Sequence, residues 1–312
     1  MTDDDARRLL PTSIVGDVVS IAPIRLGLSG AGVWSVVATR GRYVLRVPDP
    51  AVSARDWADQ LLVLRRAAER GVAPAVVYVD EAARAVLSAQ VVGGPLHAAL
   101  ADPALRVPAM TSVVTQLRAL HELDPAGVPA RDAVAFARRL WELQRERPGF
   151  PTWASEVGAA LDAIAVVLAA DPRRVVSHND LNPSNVLWDG ARAWLIDWDV
   201  AGLNHPFYDV ATLATFLRLD DAAASDLLAA QEGGALDARA PVTLAALRRL
   251  VALAAGSAFL RLAPDLTVRT AATRADAPAL DACYAEMRAG TLDLQSSGGQ
   301  VALGLALLRL GT

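Results

Sequence analysis

The chain contains the stretch His178-Asn179-Asp180-Leu181-Asn182-Pro183-Ser184-Asn185-Val186-Leu187, which is followed closely by Leu195-Ile196-Asp197-Trp198-Asp199. Asn185 stands five residues after Asp180, and Asp197 stands twelve residues after Asn185. Between the last two, Val186-Leu187-Trp188 and Trp194-Leu195-Ile196 are apolar runs, and Asp189-Gly190 is a strong signal for a tight turn. The pattern predicts a hairpin that brings Asn185 and Asp197 side by side.

Carboxylate and amide side chains in this arrangement meet the needs of phosphoryl transfer. That reaction needs one carboxylate to hold the acceptor hydroxyl, and an amide oxygen with a second carboxylate to hold Mg²⁺. We therefore predict that Asp180 is the catalytic base, or at least orients the hydroxyl, and that Asn185 and Asp197 are the metal ligands. Any one of these residues alone could instead cap a helix or shape a turn. Their combined spacing favours the site.

With these residues in place, the chain resembles the aminoglycoside phosphotransferase and choline kinase family of small-molecule kinases. Three motifs carry the resemblance: His178-x-Asp180-x4-Asn185, Ile196-Asp197-Trp198, and Pro206-Phe207-Tyr208-Asp209-Val210-Ala211. Asp199 and the run His178–Leu181 are more similar to the choline kinase side. The resemblance implies an α+β, protein-kinase-like fold with two lobes. A small N-terminal sheet lobe, residues 1–92, would bind the nucleotide, and a large helical lobe, residues 93–312, would carry catalysis and the substrate.

The resemblance also implies a nucleotide site in the sheet lobe. Glycines let main-chain N–H groups approach a triphosphate closely, so Ser29, Gly30 and Gly32 are predicted to contact the phosphates; an ordinary hairpin is the alternative. Arg46 takes the place of a strand-borne cation that holds the phosphates, and all 30 basic residues of the chain are Arg. The predicted contacts with the adenine are the hinge residues Gln90 and Val92 and the aliphatic pair Val44 and Leu187.

One position departs from the family pattern. A helix acid normally pairs with the cation at Arg46, but the aligned residue is Gln60, and Asp59 or Asp56 would have to substitute. This departure leaves open a non-catalytic, nucleotide-binding pseudokinase, although all three predicted catalytic and metal-binding residues are present. A protein kinase is disfavoured, because the segment between Asp197 and Asp209 is too short to hold a peptide-docking loop.

The remaining predictions concern loop support and the acceptor. His178 is expected to hold the catalytic loop by packing, and Asp209 by hydrogen-bonding its main chain. Asp199, Trp198 and Tyr208 are predicted to face the acceptor, since aromatic faces attract a quaternary ammonium; a solvated acid and core aromatics are the alternatives. The C-terminal region lacks the dense acid cluster that an aminoglycoside would favour. The predicted acceptor is therefore an amino alcohol, similar to choline or ethanolamine, or another small alcohol, and an antibiotic kinase ranks second.

Composition and charge exclude several classes of partner and location for this chain. The formal net charge of −4 provides no basic field for nucleic acid or an anionic membrane. No uncharged apolar run reaches the ~18 residues of a spanning helix, and Met1-Thr2-Asp3-Asp4-Asp5 is too acidic to start a secretory signal. The single cysteine, Cys283, excludes an internal disulfide. We expect a cytoplasmic enzyme that uses ATP and Mg²⁺, acts on a small-molecule alcohol, and binds neither nucleic acid nor membrane. The oligomeric state does not follow from the sequence.

Overall fold

A computed structural model describes residues 2–24 and 30–312. The chain forms two compact units. The first comprises Met1–Pro129 and Val175–Leu203, and the second comprises Ala130–Arg174 and Asn204–Thr312. The α+β class is confirmed, because the first unit contains an antiparallel sheet and the second is helical. The boundary between residues 92 and 93 was predicted to separate a nucleotide-binding lobe from a catalytic lobe, and it stays a prediction.

A five-stranded antiparallel sheet forms one part of the first unit. Its strands are β1 (Val18–Pro23), β2 (Gly32–Ala38), β3 (Gly41–Val47), β4 (Val76–Asp80) and β5 (Ala85–Ala89), in the order β1-β2-β3-β5-β4. Tyr43 and Leu45 of β3 are buried in the core of this sheet. Side chains alternate between the faces of a strand, so Val44 and Arg46 lie together on the opposite face of β3. That shared face is where a nucleotide was predicted.

Five helices belong to the same unit: α1 (Asp3–Arg8), α2 (Thr12–Val15), α3 (Ala54–Glu69), α4 (Leu96–Ala101) and α5 (Pro103–His121). The sequence patterns missed α1 and α2, whose apolar residues join the core cluster of the sheet. The sequence predicts Gly71 as the C-terminal cap of a helix over Arg55–Arg70, and in the structure Gly71 follows α3 with a φ of 74°. The sequence predicts a helix over Pro108–Leu120, with the proline in its opening position. That start is wrong. The side chain of Asp102 caps the N–H of Ala104 at 2.9 Å, and the helix begins at Pro103.

The predicted hairpin is confirmed. Its strands are β8 (Val186–Trp188) and β9 (Ala193–Leu195), and β6 (Gly94–Pro95) pairs with β8 on the other side. Gly190 has a φ of 98°, which favours glycine. The Asp189 carboxylate closes the turn by accepting the N–H groups of Ala191 and Arg192, both at 2.8 Å. Two short strands, β7 (Val175–Ser177) and β10 (Gly202–Asn204), precede and follow the predicted catalytic segment in the sequence. They pair with each other.

The second unit is built around α10 (Ala240–Leu262), which contacts α6 (Ala133–Glu142), α7 (Glu156–Ala169), α8 (Tyr208–Phe216) and α12 (Ser297–Gly311). Its other helices are α9 (Asp221–Glu232) and α11 (Leu280–Ala289). The sequence of Ser296–Gly299 predicts a flexible joint before a last apolar helix. That prediction is wrong, because the Ser296 hydroxyl caps the N–H of Gly299 at 3.1 Å and α12 begins at Ser297. By length and composition alone, Thr152–Ala169 and Ala240–Leu262 could cross a membrane. A buried core helix has the same composition, and α10 is packed against other helices of the second unit.

Candidate functional site

Asp180 lies in the loop between β7 and a short 3₁₀ turn, Pro183–Asn185, and neighbouring amides fix its carboxylate. The side chain of Asn185 donates to the Asp180 carbonyl at 2.8 Å and to its Oδ2 at 2.9 Å. The side chain of Asn182 donates to Oδ1 at 3.1 Å. Both carboxylate oxygens are therefore held by amides of the same loop, which presets the direction in which Asp180 can accept a hydroxyl proton.

The environment of Asp180 also raises the pKa of its carboxyl group. Burial is the largest cause, and the negative charge of Asp197 adds to it, whereas His178 and the two amide contacts act in the opposite direction. A carboxylate with a raised pKa has a higher affinity for a proton. This suits a group that takes a proton from an alcohol during the reaction.

His178 connects the Asp180 loop to the segment that carries Asp197. Its ring is fully buried, and Nδ1 accepts the N–H of Asp180 at 3.3 Å. An accepting Nδ1 leaves the hydrogen on Nε2, which donates to the Ile196 carbonyl at 2.9 Å. The ring also packs against Trp198, with 4.8 Å between the ring centroids. Both segments are thus tied to one imidazole ring.

Asn185 and Asp197 lie on adjacent segments, since the N–H of Ile196 donates to the Asn185 carbonyl at 3.0 Å. Asn185 turns its amide nitrogen toward Asp180, so its amide oxygen is left for another ligand. Oδ1 of Asp197 is buried and accepts no hydrogen bond from the described residues, although Nη2 of Arg46 is 3.3 Å away. Amide and carboxylate oxygens are ligands that Mg²⁺ prefers. A buried carboxylate oxygen without a hydrogen bond fits such a cation.

The metal donor set is small. Within residues 2–24 and 30–312, no group of three or more His, Cys, Asp or Glu side chains could hold a metal ion. Mg²⁺ commonly takes one or two protein oxygens and completes its shell with water and substrate phosphate. Asn185 and Asp197 therefore suffice for an ion that arrives with a nucleotide.

Two site residues have left-handed backbone conformations. Asn179 and Asp197 both have a φ of 66°, a region that Asn and Asp tolerate better than most residues. The amide of Asn179 donates to the carbonyls of Val200 and Gly202, at 3.0 and 3.3 Å. Asn179 and Asn182 were not predicted as site residues. Their residue type, next to Asp180 and before a proline, was the available signal.

Arg46 pairs with two acids of the segment that carries the predicted metal ligand Asp197. Its Nη2 contacts Oδ2 of Asp199 directly and lies 3.3 Å from Oδ1 of Asp197. Burial raises the pKa of Asp199, and the charge of Asp197 adds to the rise, while Arg46 opposes it. Neither Asp56 nor Asp59 forms an ion pair with Arg46. Asp199 was predicted to face the acceptor, and that contact stays a prediction.

The predicted base-binding residues all belong to the first unit, and Ser29 lies outside the described residues. Val44 and Leu187 are half-buried, so each keeps some apolar surface exposed. The N–H of Gln90 donates to the Arg42 carbonyl at 3.0 Å. The main-chain groups of Val91 and Val92 make no hydrogen bond to other described residues. Such free main-chain groups could meet an adenine edge.

Two glycines in this region have little room for a side chain. A Cβ on Gly32 would overlap the Trp34 ring, and a Cβ on Gly30 would overlap the Asp49 carboxylate. Gly93, just after the predicted hinge, is also confined, because its Cβ would lie 2.8 Å from the Cα of Asp189. The contacts of Gly30 and Gly32 with phosphate stay predictions.

The other predicted residues are buried. Trp198 is 5% exposed, and its indole N–H donates to the Leu195 carbonyl at 3.0 Å. Tyr208 and Asp209 open α8 in the second unit and are 7% and 0% exposed. An acceptor contact of Trp198 or Tyr208, and support of the catalytic loop by Asp209, stay predictions.

The chain is similar in sequence to known proteins. Residues 20–247 match the phosphotransferase enzyme family. Protein LicA of Haemophilus influenzae is 45% identical over 51 residues, which is 16% of this chain and 19% of that protein. The chain therefore matches less than a fifth of the length of this curated relative.

Solved structures match over much more of the chain. A choline/ethanolamine kinase family protein from Mesorhizobium loti has a TM-score of 0.70 and 23% identity, with 100% of both chains covered. LicA in complex with AMP has a TM-score of 0.58 and 15% identity, covering 82% of this chain and 86% of that one. Aminoglycoside phosphotransferase APH(3'')-Id from Streptomyces rimosus has a TM-score of 0.53 and 23% identity, covering 80% and 99%. At these identities, the likeness shows the fold.

Proposed function

The chain belongs to the phosphotransferase enzyme family, and we propose that it transfers the γ-phosphate of ATP to a hydroxyl of a small-molecule alcohol. The observation that carries this proposal is the Asp180–Asn185–Asp197 arrangement. The amide nitrogen of Asn185 donates to the Asp180 carboxylate at 2.9 Å, while its amide oxygen accepts no hydrogen bond from the residues that the structure describes. Oδ1 of Asp197 is buried, accepts no hydrogen bond from the described residues and lies 3.3 Å from Nη2 of Arg46, which supports a cation site at this oxygen.

In the proposed reaction, the acceptor oxygen forms a bond to the γ-phosphorus as the bond from that phosphorus to the bridging oxygen of ADP breaks. Asp180 orients the hydroxyl and takes its proton, and the products are ADP and a phosphomonoester. A loose transition state asks little of a base, so holding the hydroxyl in line is the larger task of Asp180. Asn182 and Asn185 assist by fixing the carboxylate before the substrate arrives.

Asn185 and Asp197 would hold Mg²⁺, whose chemistry when bound is to neutralise charge on the phosphates. Arg46 would contact the same phosphates from β3. An Arg suits this position, because its guanidinium can bind a carboxylate through one nitrogen and a phosphate through another. The adenine would lie between Val44 and Leu187, with its edge at the main chain of Val91 and Val92.

For the acceptor, we propose an amino alcohol, similar to choline or ethanolamine, or another small alcohol. The family of the Mesorhizobium loti protein supports this choice, as does the choline kinase-like motif around Asp180 and Asp199. An aminoglycoside is the second candidate, since the Streptomyces rimosus enzyme has the same fold. We place the reaction in the cytoplasm, where ATP is available.

The test is acceptor-dependent release of ADP from ATP and Mg²⁺, with choline, ethanolamine, other small alcohols, sugars and aminoglycosides as separate acceptors. We expect an amino alcohol or small alcohol to give the highest kcat/KM, and phosphorus NMR to show a phosphomonoester product. A higher kcat/KM for an aminoglycoside would replace the proposed acceptor. Nucleotide binding without ADP release for any acceptor would favour a pseudokinase.

A further inference from the structure

Arg46 lacks the partner that the family pattern leads one to expect, and the structure supplies another. We infer that Asp199 is the positioning residue for Arg46, in place of a helix acid. Because Arg46 is expected to hold nucleotide phosphates, this role of Asp199 depends on the proposed function. It adds a residue that neither binds the nucleotide nor reacts.

The helix that would normally supply the acid cannot do so here. Gln60 has no charge, and the Asp56 carboxylate is used in capping α3, where it accepts the Ser53 hydroxyl at 2.7 Å. Asp59 forms no ion pair with any described residue. The acids that do reach Arg46 are Asp197 and Asp199. Both come from the segment after β9, which is far from β3 in sequence.

The two acids are not equivalent. Asp197 has a buried oxygen suited to a cation, and its separation from Arg46 is 3.3 Å. Asp199 makes the direct hydrogen-bonded ion pair with Nη2. We therefore infer different roles for the two acids: Asp199 anchors Arg46, and Asp197 is left for the metal.

The pairing also leaves donors for a nucleotide. Nη2 contacts the two carboxylates, whereas Nε and Nη1 make no hydrogen bond to other described residues. Side-chain exposures of 25% for Arg46 and 37% for Asp199 show that the pair is accessible from solvent. A guanidinium fixed through one nitrogen presents its other N–H groups in a set direction, which favours a charge-assisted contact with phosphate.

A double-mutant cycle tests this role through the affinity for ADP, measured by calorimetry in EDTA so that no metal contributes. The four proteins are the unmodified chain, Asp199→Asn, Arg46→Met and the double variant. Removal of a negative charge near the phosphates strengthens ADP binding equally in both backgrounds and cancels in the cycle. In each background, the effect of Asp199→Asn is the factor by which it changes the dissociation constant for ADP. We expect it to weaken ADP binding by a factor about fivefold or more larger when residue 46 is Arg than when it is Met.

Equal effects of Asp199→Asn in the two backgrounds would overturn the positioning role. A coupling of opposite sign would also overturn it, because Asp199 would then sequester Arg46 from the nucleotide. Asp199→Glu keeps the carboxylate and should recover most of the affinity if Asp199→Asn folds poorly by thermal unfolding. A loss for Asp59→Asn as large as that for Asp199→Asn would assign the pairing to α3 instead.

Failure of the unmodified protein to bind ADP, with or without Mg²⁺, would overturn the proposed function, whereas binding without coupling overturns only the positioning role.

Discussion

The side chain of Asn185 donates to both the main-chain carbonyl and the carboxylate of Asp180, at 2.8 and 2.9 Å. One residue thereby sets the orientation of the predicted base and presents its own oxygen toward the predicted metal. Phosphoryl transfer depends on the relative placement of these two groups. The contact explains why an Asn, which carries a donor and an acceptor on one rigid plane, occupies this position rather than an acid.

Asp180→Asn should lower kcat by about 10²- to 10⁴-fold, the range typical of a positioned acid or base. The dissociation constant for ATP should stay within about twofold, because Asp180 addresses the acceptor and not the nucleotide. Steady-state kinetics and calorimetry on the same preparation provide both values. A dissociation constant that rises in step with the fall in kcat would place Asp180 in the nucleotide site.

Asp197→Asn should remove the increase in ATP affinity that Mg²⁺ provides and reduce turnover by more than about tenfold, or ~1.4 kcal/mol in barrier. Its thermal transition should remain nearly unmoved, because Oδ1 of Asp197 accepts no hydrogen bond from the described residues. Titration of ATP with and without Mg²⁺ gives the affinity difference. An unchanged response to Mg²⁺ would refute Asp197 as a ligand.

His205, in the second unit, should make stability depend on pH. It is 2% exposed; Nδ1 accepts the Phe207 N–H at 3.1 Å, and Nε2 lies 3.2 Å from the Asp171 carboxylate. Burial lowers the pKa of His205 from 6.5 to about 4. The unfolded chain therefore binds more protons between these values, so the contribution of His205 is fully present above pH 6.5 and is lost as pH falls toward about 4.

Urea unfolding of the unmodified protein and of His205→Gln, at about pH 7.5 and pH 5, measures this contribution. His205→Gln removes the titrating group and should reduce the loss of stability on acidification by about 1–2 kcal/mol. The same pH dependence in both proteins would show that His205 titrates normally in the folded state.

The contact between α10 and α12 should tolerate no added methyl group at Gly256. A Cβ there would lie 2.9 Å from the Gly304 carbonyl oxygen and 2.9 Å from the Leu308 nitrogen, both of which are main-chain atoms. Gly256→Ala should lower the free energy of unfolding by about 1–3 kcal/mol through overpacking. The matched control is Gly298→Ala, because no atom lies within 4 Å of its added Cβ. Urea unfolding that ranks Gly298→Ala as the less stable variant would contradict this packing.

The features that the sequence predicted well are local. The β8–β9 hairpin followed from two apolar runs and Asp189-Gly190, and the end of α3 followed from Gly71. The start of α12 was missed because Ser296 was interpreted as part of a joint rather than as a helix cap. A motif is recognisable when the residues that make it are close in sequence.

The missed features depend on tertiary contacts. Arg46 and Asp199 are 153 residues apart, and no spacing rule joins a strand cation to an acid beyond the hairpin. The helix α1 has only six residues, and its Asp3 accepts the indole N–H of Trp34, 31 residues away, at 2.9 Å. The predicted acceptor contacts, Trp198 and Tyr208, are buried residues of a kind that many chains bury for packing alone.

The most direct test of the central claim is transfer of label from γ-labelled ATP to an amino alcohol in the presence of Mg²⁺. The unmodified protein, Asp180→Asn and Asp197→Asn would be compared at equal concentration, after thermal unfolding has shown that all three are folded. A labelled phosphomonoester formed by the unmodified protein, with at least tenfold less formed by each variant, is the predicted result. Equal transfer by all three proteins, or no transfer to any alcohol by the unmodified protein, would contradict a phosphotransferase site built on Asp180, Asn185 and Asp197.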